Sequence, residues 1–92
     1  MRLKAKPVVA LKRARKARMI EAFLADALGA APAGKRILDI GCGNGDILAH
    51  FAPGNDCVGV DVQDQCRPEL RHLPRCIARS EQLPFPDASF DI

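Results

Sequence analysis

Apolar positions follow two different rhythms along this chain, and the change of rhythm marks its organisation. From Pro7 to Leu28 the apolar residues Leu11, Met19, Ile20, Phe23, Leu24, Ala27 and Leu28 recur at helical spacing. Pro7 suits a first helical turn and Gly29 the residue just past the end, while the Ala, Lys, Arg and Leu between them favour helix. A single helix is predicted over Pro7 to Leu28. Ala30-Ala31-Pro32-Ala33-Gly34 carries two breakers and reads as a linker.

From Lys35 the helical rhythm gives way to short, wholly apolar runs. Arg36-Ile37-Leu38-Asp39-Ile40 ends at glycines and reads as a buried parallel strand. Gly41 to Gly45 form a tight turn. Asp46 to Ala52 make a short helix with Ile47, Leu48 and Phe51 on one face, stopped by Pro53-Gly54-Asn55. Cys57-Val58-Gly59-Val60 is a second buried strand that ends at Asp61. A loose helical stretch from Pro68 to Leu73 and a short third strand, Cys76-Ile77-Ala78, follow. Two prolines bracket Leu83-Pro84-Phe85-Pro86-Asp87 and keep it irregular. Phe90-Asp91-Ile92 reads as the start of a fourth strand. Strand, glycine turn, helix and strand make a βαβ unit, so the fold class is α/β with a parallel sheet and flanking helices.

Charge sharpens the division. The net charge is only +3, yet residues 1–36 hold ten Lys or Arg against two acidic residues, and residues 37–92 hold four Arg against nine. The chain therefore reads as a basic N-terminal helix and linker, residues 1–34, followed by a separate acidic body, residues 35–92. With 48% apolar residues it is not disordered by composition. No apolar run reaches the ~18–20 residues of a membrane span. The N-terminus lacks the apolar core of a secretory signal, and its Arg-rich start lacks the serines of an organelle transit peptide. A cytoplasmic protein is the expectation.

The four cysteines, Cys42, Cys57, Cys66 and Cys76, lie 15, 9 and 10 residues apart, without the spacing of a metal site. Free thiols in the interior are expected rather than a disulfide framework. His50 and His72 are isolated and read as residues on helix surfaces.

The segment Ile37-Leu38-Asp39-Ile40-Gly41-Cys42-Gly43-Asn44-Gly45-Asp46 carries the chemistry. Glycines at alternate positions after a strand let the backbone approach a ligand without interference from Cβ atoms. The helix that follows presents free N–H groups and a partial positive charge. A dinucleotide fingerprint needs a third glycine where Asp46 stands. The acidic Asp39 beside the turn repels a pyrophosphate and attracts an ammonium group, which suits a cofactor bearing an amino acid better than NAD. Asp61 lies at the end of the second strand, 20 residues after Gly41. At that place in a Rossmann-like unit a carboxylate accepts hydrogen bonds from ribose hydroxyls.

On these residues the chain closely resembles the class I methyltransferases that use S-adenosylmethionine (SAM), especially a large bacterial group with a Leu-Pro-Phe-Pro-Asp-x-Ser-Phe-Asp segment. Ile37–Gly45 resembles the glycine-rich first motif, Val58-Gly59-Val60-Asp61 the ribose motif, and Glu81 to Asp91 the approach to the fourth strand. The resemblance implies a Rossmann-like sheet and SAM as cofactor. It places Asp39, Gly41, Cys42, Gly43 and Gly45 around the methionine part, with Asp39 near the amino group. It gives the ribose to Asp61, packs Val62 on the adenine, and brings backbone groups of Ser80 and Glu81 to the adenine edge. Many relatives have an Asp at the position of Arg79 that accepts from the adenine amino group; Arg79 cannot accept, so that contact is lost or passes to Ser80 or Glu81. Leu83–Phe85 is expected to order its loop rather than touch ligand.

The resemblance names no catalytic residue, because the cofactor's sulfonium already activates the methyl and alignment supplies much of the rate. It puts acceptor-side residues beyond Ile92. The expectation is therefore the cofactor-binding half of a truncated domain, incapable of turnover alone, acting on an unknown acceptor that is a small molecule rather than nucleic acid. A fourth strand would close the open edge of the first. Five basic residues between Lys12 and Arg18 could serve RNA, DNA or anionic lipid. No aromatic residue is interleaved among them for base stacking, and the reading adopted is an amphipathic helix that lays its Phe23–Leu28 end over the cofactor site. A non-catalytic SAM-binding fragment, an NAD-linked oxidoreductase and a nucleic-acid-binding module remain the alternatives.

Overall fold

The computed structural model of the chain describes residues 8–92, with side chains from Lys12 onward. Pro7 and the side chain of Leu11 lie outside the described residues. The long helix α1 runs Val8–Leu28 and stops at Gly29, whose φ of 84° is the left-handed conformation of a helix C-terminus. Strand β1 is Arg36–Ile40, α2 is Asp46–Phe51 and β2 is Asp56–Asp61. A single 3₁₀ turn, Pro68–Leu70, and strand β3, Arg75–Ile77, complete the regular structure.

The three strands form one parallel sheet in the order β1-β2-β3. Ile37 is in register with Cys57, and Ile40 with Val60. The fold is α/β and Rossmann-like, as the apolar runs and glycine breaks indicate. Ile37, Leu48, Phe51 and Cys57 form the core, with Ile20 and Leu24 of α1, Ile47, Leu73 and Ile92 packed against it. Asn55 secures the linker: its side-chain amide donates to the carbonyls of Pro32 and Phe51, and its oxygen accepts from the Lys35 N–H.

The expected start of a fourth strand lies where parallel pairing requires it. The Ile92 N–H donates to the Arg36 carbonyl at 3.2 Å, and the Leu38 N–H donates to the Ile92 carbonyl at 2.9 Å. That is the two-bond pattern of a parallel bridge between Ile92 and Ile37. The segment is fastened by Asp91, whose carboxylate accepts from the Arg36 backbone N–H at 2.8 Å and from its guanidinium at 3.1 Å. The Phe85 and Phe90 rings meet edge to face, with centroids 5.1 Å apart, and fold the proline-bracketed loop onto this segment.

Several details of the sequence reading change, among them the end of α2, at Phe51 and not Ala52, and the start of β2, at Asp56 and not Cys57. The helical stretch expected up to Leu73 is a 3₁₀ turn over Pro68–Leu70, followed by a turn in which the Leu73 N–H donates to the Leu70 carbonyl at 3.0 Å. The third strand begins one residue earlier, at Arg75, and ends at Ile77. His50 is half-buried and hydrogen-bonded to Glu21 at 3.0 Å, linking α2 to α1, so it is not an ordinary surface residue. Finally, arm and body are not separate objects, since α1 packs along α2 and the core. Cys42, Cys57 and Cys66 are buried and Cys76 half-buried, all as free thiols. Among the described residues no helix is long and apolar enough to cross a membrane.

Candidate functional site

The C-terminal ends of β1 and β2 create the site. Parallel strands end with unpaired backbone at one edge, and in open α/β sheets ligands collect there. Past Ile40 the chain turns sharply, with positive φ at Gly41, Gly43 and Gly45. Two bonds to the Val60 carbonyl, from the Gly41 N–H at 2.7 Å and the Cys42 N–H at 3.0 Å, hold the turn against the end of β2. Asn44 opens α2 by accepting the Asp46 N–H at 3.1 Å. Asp46 itself accepts from Arg67 at 3.0 Å, which draws the loop after β2 back onto the turn.

Asp61 bridges the turn and the strand. Its Oδ2 accepts the Gly43 N–H at 2.9 Å, and its Oδ1 accepts the Gln63 N–H at 3.3 Å. These two N–H groups, Gly43 first, hold its carboxyl below the usual carboxylate range, so it is an anion at neutral pH. Asp39 is in the opposite situation. Its Oδ2 is buried without a hydrogen-bond partner. Burial pushes its carboxyl above the usual range, a rise opposed by Lys16 and Arg13 and assisted by Asp61. An orphaned carboxylate oxygen beside an open glycine turn is a place prepared for a donor.

Three clefts run along this edge and share their walls. One, of about 530 Å³, lies between Asp39, Ile40 and Gly41 below and α1 above. The next, about 190 Å³, shares Ile40 and Gly41 with it and adds Val60, Asp61 and Val62. The third, about 540 Å³, shares Val62, Ala78 and Ser80 with the second and reaches Ile77, Arg79 and Glu81. Together they form one groove across the ends of all three strands. Ile40, Val62 and Ile77 stand in it at 52%, 62% and 57% exposure, apolar surface that a monomer ordinarily covers.

Asp39, Gly41, Asp61, Val62, Ser80 and Glu81, singled out from the sequence, all line this groove. Gly43 and Gly45 lie in the turn but are buried. Gly43 stays close to Arg13: a Cβ built there would come within 3.3 Å of the guanidinium. Gly45 is covered by Cys66 and Leu70. The Cys42 side chain turns inward, 5% exposed, against Gly59. Burial, then Asp39 and Asp61, push its thiol up to about 11, so it is neutral and unreactive at physiological pH. Ser80 and Glu81 are exposed and hydrogen-bonded to each other at 3.2 Å.

Lys12, Arg13 and Lys16, read from the sequence as part of a basic helix and not as site residues, line the groove. The expectation that the Phe23–Leu28 end of α1 covers the site is corrected: Phe23 is 72% exposed, and the basic half of the helix lies there instead. The signal was available in the spacing. Arg13, Lys16 and Ile20 recur at i, i+3 and i+7 and so share one helix face.

Comparison with known proteins agrees with this geometry. A family model described as a methyltransferase domain matches residues 38–92. The 27-O-demethylrifamycin SV methyltransferase of Amycolatopsis mediterranei (strain S699) is 35% identical over 72 residues, covering 65% of this chain. The chain spans 26% of that relative's length. No solved structure matches the chain significantly.

Proposed function

This chain belongs to the methyltransferase-domain family, and from that premise we propose that its groove binds S-adenosylmethionine and that the whole protein transfers a methyl group to an acceptor. The observation that carries the reading is the continuity of the groove. It offers an orphaned carboxylate at one end, an anionic carboxylate in the middle and exposed apolar side chains at the other. S-adenosylmethionine has the same order of parts: an ammonium-bearing amino acid, a ribose with two hydroxyls and an adenine.

The residues fit the cofactor on this structure's own terms. Asp39 Oδ2 lacks a donor, which the ammonium supplies. At Gly41 nothing lies within 4 Å of where a Cβ would stand, which leaves the backbone open to a ligand. Asp61 is already ionised and half-exposed, ready to accept from ribose hydroxyls. Val62 and Ile77 flank the adenine, and backbone groups at Ser80 and Glu81 meet its edge. Cys42 contributes only through its main chain, because its thiol is turned into the core. Arg79 is exposed and within 3.9 Å of Glu81, and its guanidinium offers the adenine amino group no acceptor.

The bound cofactor supplies a methyl group already activated by its sulfonium. What these residues contribute is placement and exclusion of rivals. Asp39, whose unpartnered oxygen lies beside the turn, disfavours a pyrophosphate there, and with it NAD, whereas Asp46 is paired with Arg67. The acceptor is proposed to be a small molecule. The groove accounts for the donor, and alignment of donor and acceptor supplies the rate. Asp61→Ala tests the assignment: loss of a charged hydrogen-bond acceptor should weaken binding of S-adenosylmethionine roughly 10- to 100-fold. Unchanged affinity in a folded variant would remove Asp61 from the site.

A further inference from the structure

We infer that Arg13 and Lys16 of α1 bind the cofactor's carboxylate, opposite Asp39, which binds its ammonium. This inference rests on the reading of the groove as a site for S-adenosylmethionine. A free α-amino acid group is a zwitterion, with both charges attached to one carbon. A site that holds it needs an anion and a cation side by side, and the sequence motif provides only the anion.

The cation comes from the helix. The cleft at the amino-acid end has Asp39, Ile40 and Gly41 on one wall and Lys12, Arg13, Lys16 and Ile20 on the other. Arg13 reaches across to the turn, its Nη1 3.3 Å from the position of a Gly43 Cβ. Arg13 and Lys16 also face Asp39, being the charges that favour its ionised form. Among the described residues neither makes an ion pair, whereas Arg36, Arg67, Arg71, Arg75 and Arg79 all do.

Ile20 packs the same helix face onto the core, so the two basic side chains are delivered to the cleft by an anchored element. The planar Arg13 fork can hold both oxygens of a carboxylate, with Lys16 adding a point charge. This account also explains why the basic half of α1, and not its Phe23–Leu28 end, lies over the cleft.

The test separates carboxylate recognition from binding in general. Calorimetry would compare S-adenosylmethionine with its decarboxylated analogue, S-adenosyl-3-methylthiopropylamine, on the chain and on its Arg13→Ala/Lys16→Ala variant. The variant should lose about 10- to 100-fold in affinity for S-adenosylmethionine and less than about 2-fold for the analogue, the difference being the charged hydrogen bonds removed. Arg15→Ala, on an exposed position outside the cleft, should leave both affinities unchanged. Should the alanines unfold the chain by circular dichroism, the pair Arg13→Gln and Lys16→Gln, which keeps helix propensity and reach, decides the case.

Equal losses for both ligands in a folded variant, or no loss for either, would overturn the inference and leave the cofactor reading standing. If the unmodified chain binds neither ligand, the cofactor reading itself falls, and the inference with it.

Discussion

Gly59 sits at the centre of β2, beneath the glycine turn, and replacing it by Ala tests how tightly the two are fitted. Its backbone is not among the glycines with positive φ, so Ala can adopt the conformation without strain. The objection is space. A Cβ would stand 2.8 Å from Cys42 Sγ, 2.9 Å from Cys42 Cβ and 2.9 Å from Leu48 Cδ2. Cys42 and Leu48 are themselves buried, at 5% and 2% exposure, and have little room to retreat. Forcing a methyl group into such packing costs ~1–3 kcal/mol. The smaller unfolded-state entropy of Ala returns about 0.4–1 kcal/mol, which does not cover the larger part of that range. For a domain of this size each kcal/mol moves Tm by roughly 4–8 °C. Thermal unfolding followed by circular dichroism should therefore show Gly59→Ala melting about 5–15 °C lower. Adding Cys42→Gly removes both Cys42 atoms in the clash, and the double variant should recover part of the loss, with a coupling of ~0.5 kcal/mol or more. A melt within about 1 °C of the unmodified chain, or strictly additive effects in the double variant, would refute the packing argument.

Two further expectations follow from single residues. Asp39 has its carboxyl raised in the fold, so its contribution to stability is full below the unfolded pKa and is lost as pH rises through the folded value. Asp39→Asn should accordingly raise the melting temperature of the free chain at pH 7 and narrow the gap at pH 4, while weakening S-adenosylmethionine; a variant less stable at pH 7 would contradict the sign. Ala88 has φ of 60°, where an L-residue is penalised by roughly 1–2 kcal/mol. Ala88→Gly should raise Tm by a few degrees after its own entropic cost of about 0.5–1 kcal/mol, and a lower Tm would show that the turn is not strained.

The acidic body was legible in the sequence because its signals are local. β1 follows from an apolar run that stops at glycine, and the turn follows from glycines whose positive φ values other residues resist. The position of Asp61 follows from its distance along a βαβ unit whose geometry leaves little freedom. The approach of Phe90-Asp91-Ile92 to β1 could be expected from its pattern, but its fastening could not. That depends on Asp91 meeting Arg36, 55 positions away.

The docking of α1 was misread for a related reason. Its apolar residues spread around more than one face, and Met19, Phe23 and Leu28 remain exposed. Hydrophobic periodicity alone therefore did not identify the buried side. The pairing of its basic face with Asp39 is a long-range electrostatic match, visible only when helix and turn are brought together. Cys42 shows the same limit on a smaller scale. Its place in the motif was clear, but the turn's dihedral angles decided that its thiol points into the core.

The central claim is that one groove, from Asp39 through Asp61 to Glu81, is shaped for S-adenosylmethionine. The most direct measurement is a calorimetric titration of the chain with S-adenosylmethionine, repeated in the presence of NAD. The account predicts saturable binding at a single site, undisturbed by NAD at equal concentration. Displacement by NAD, or the absence of any heat or saturation from a chain shown to be folded, would contradict it.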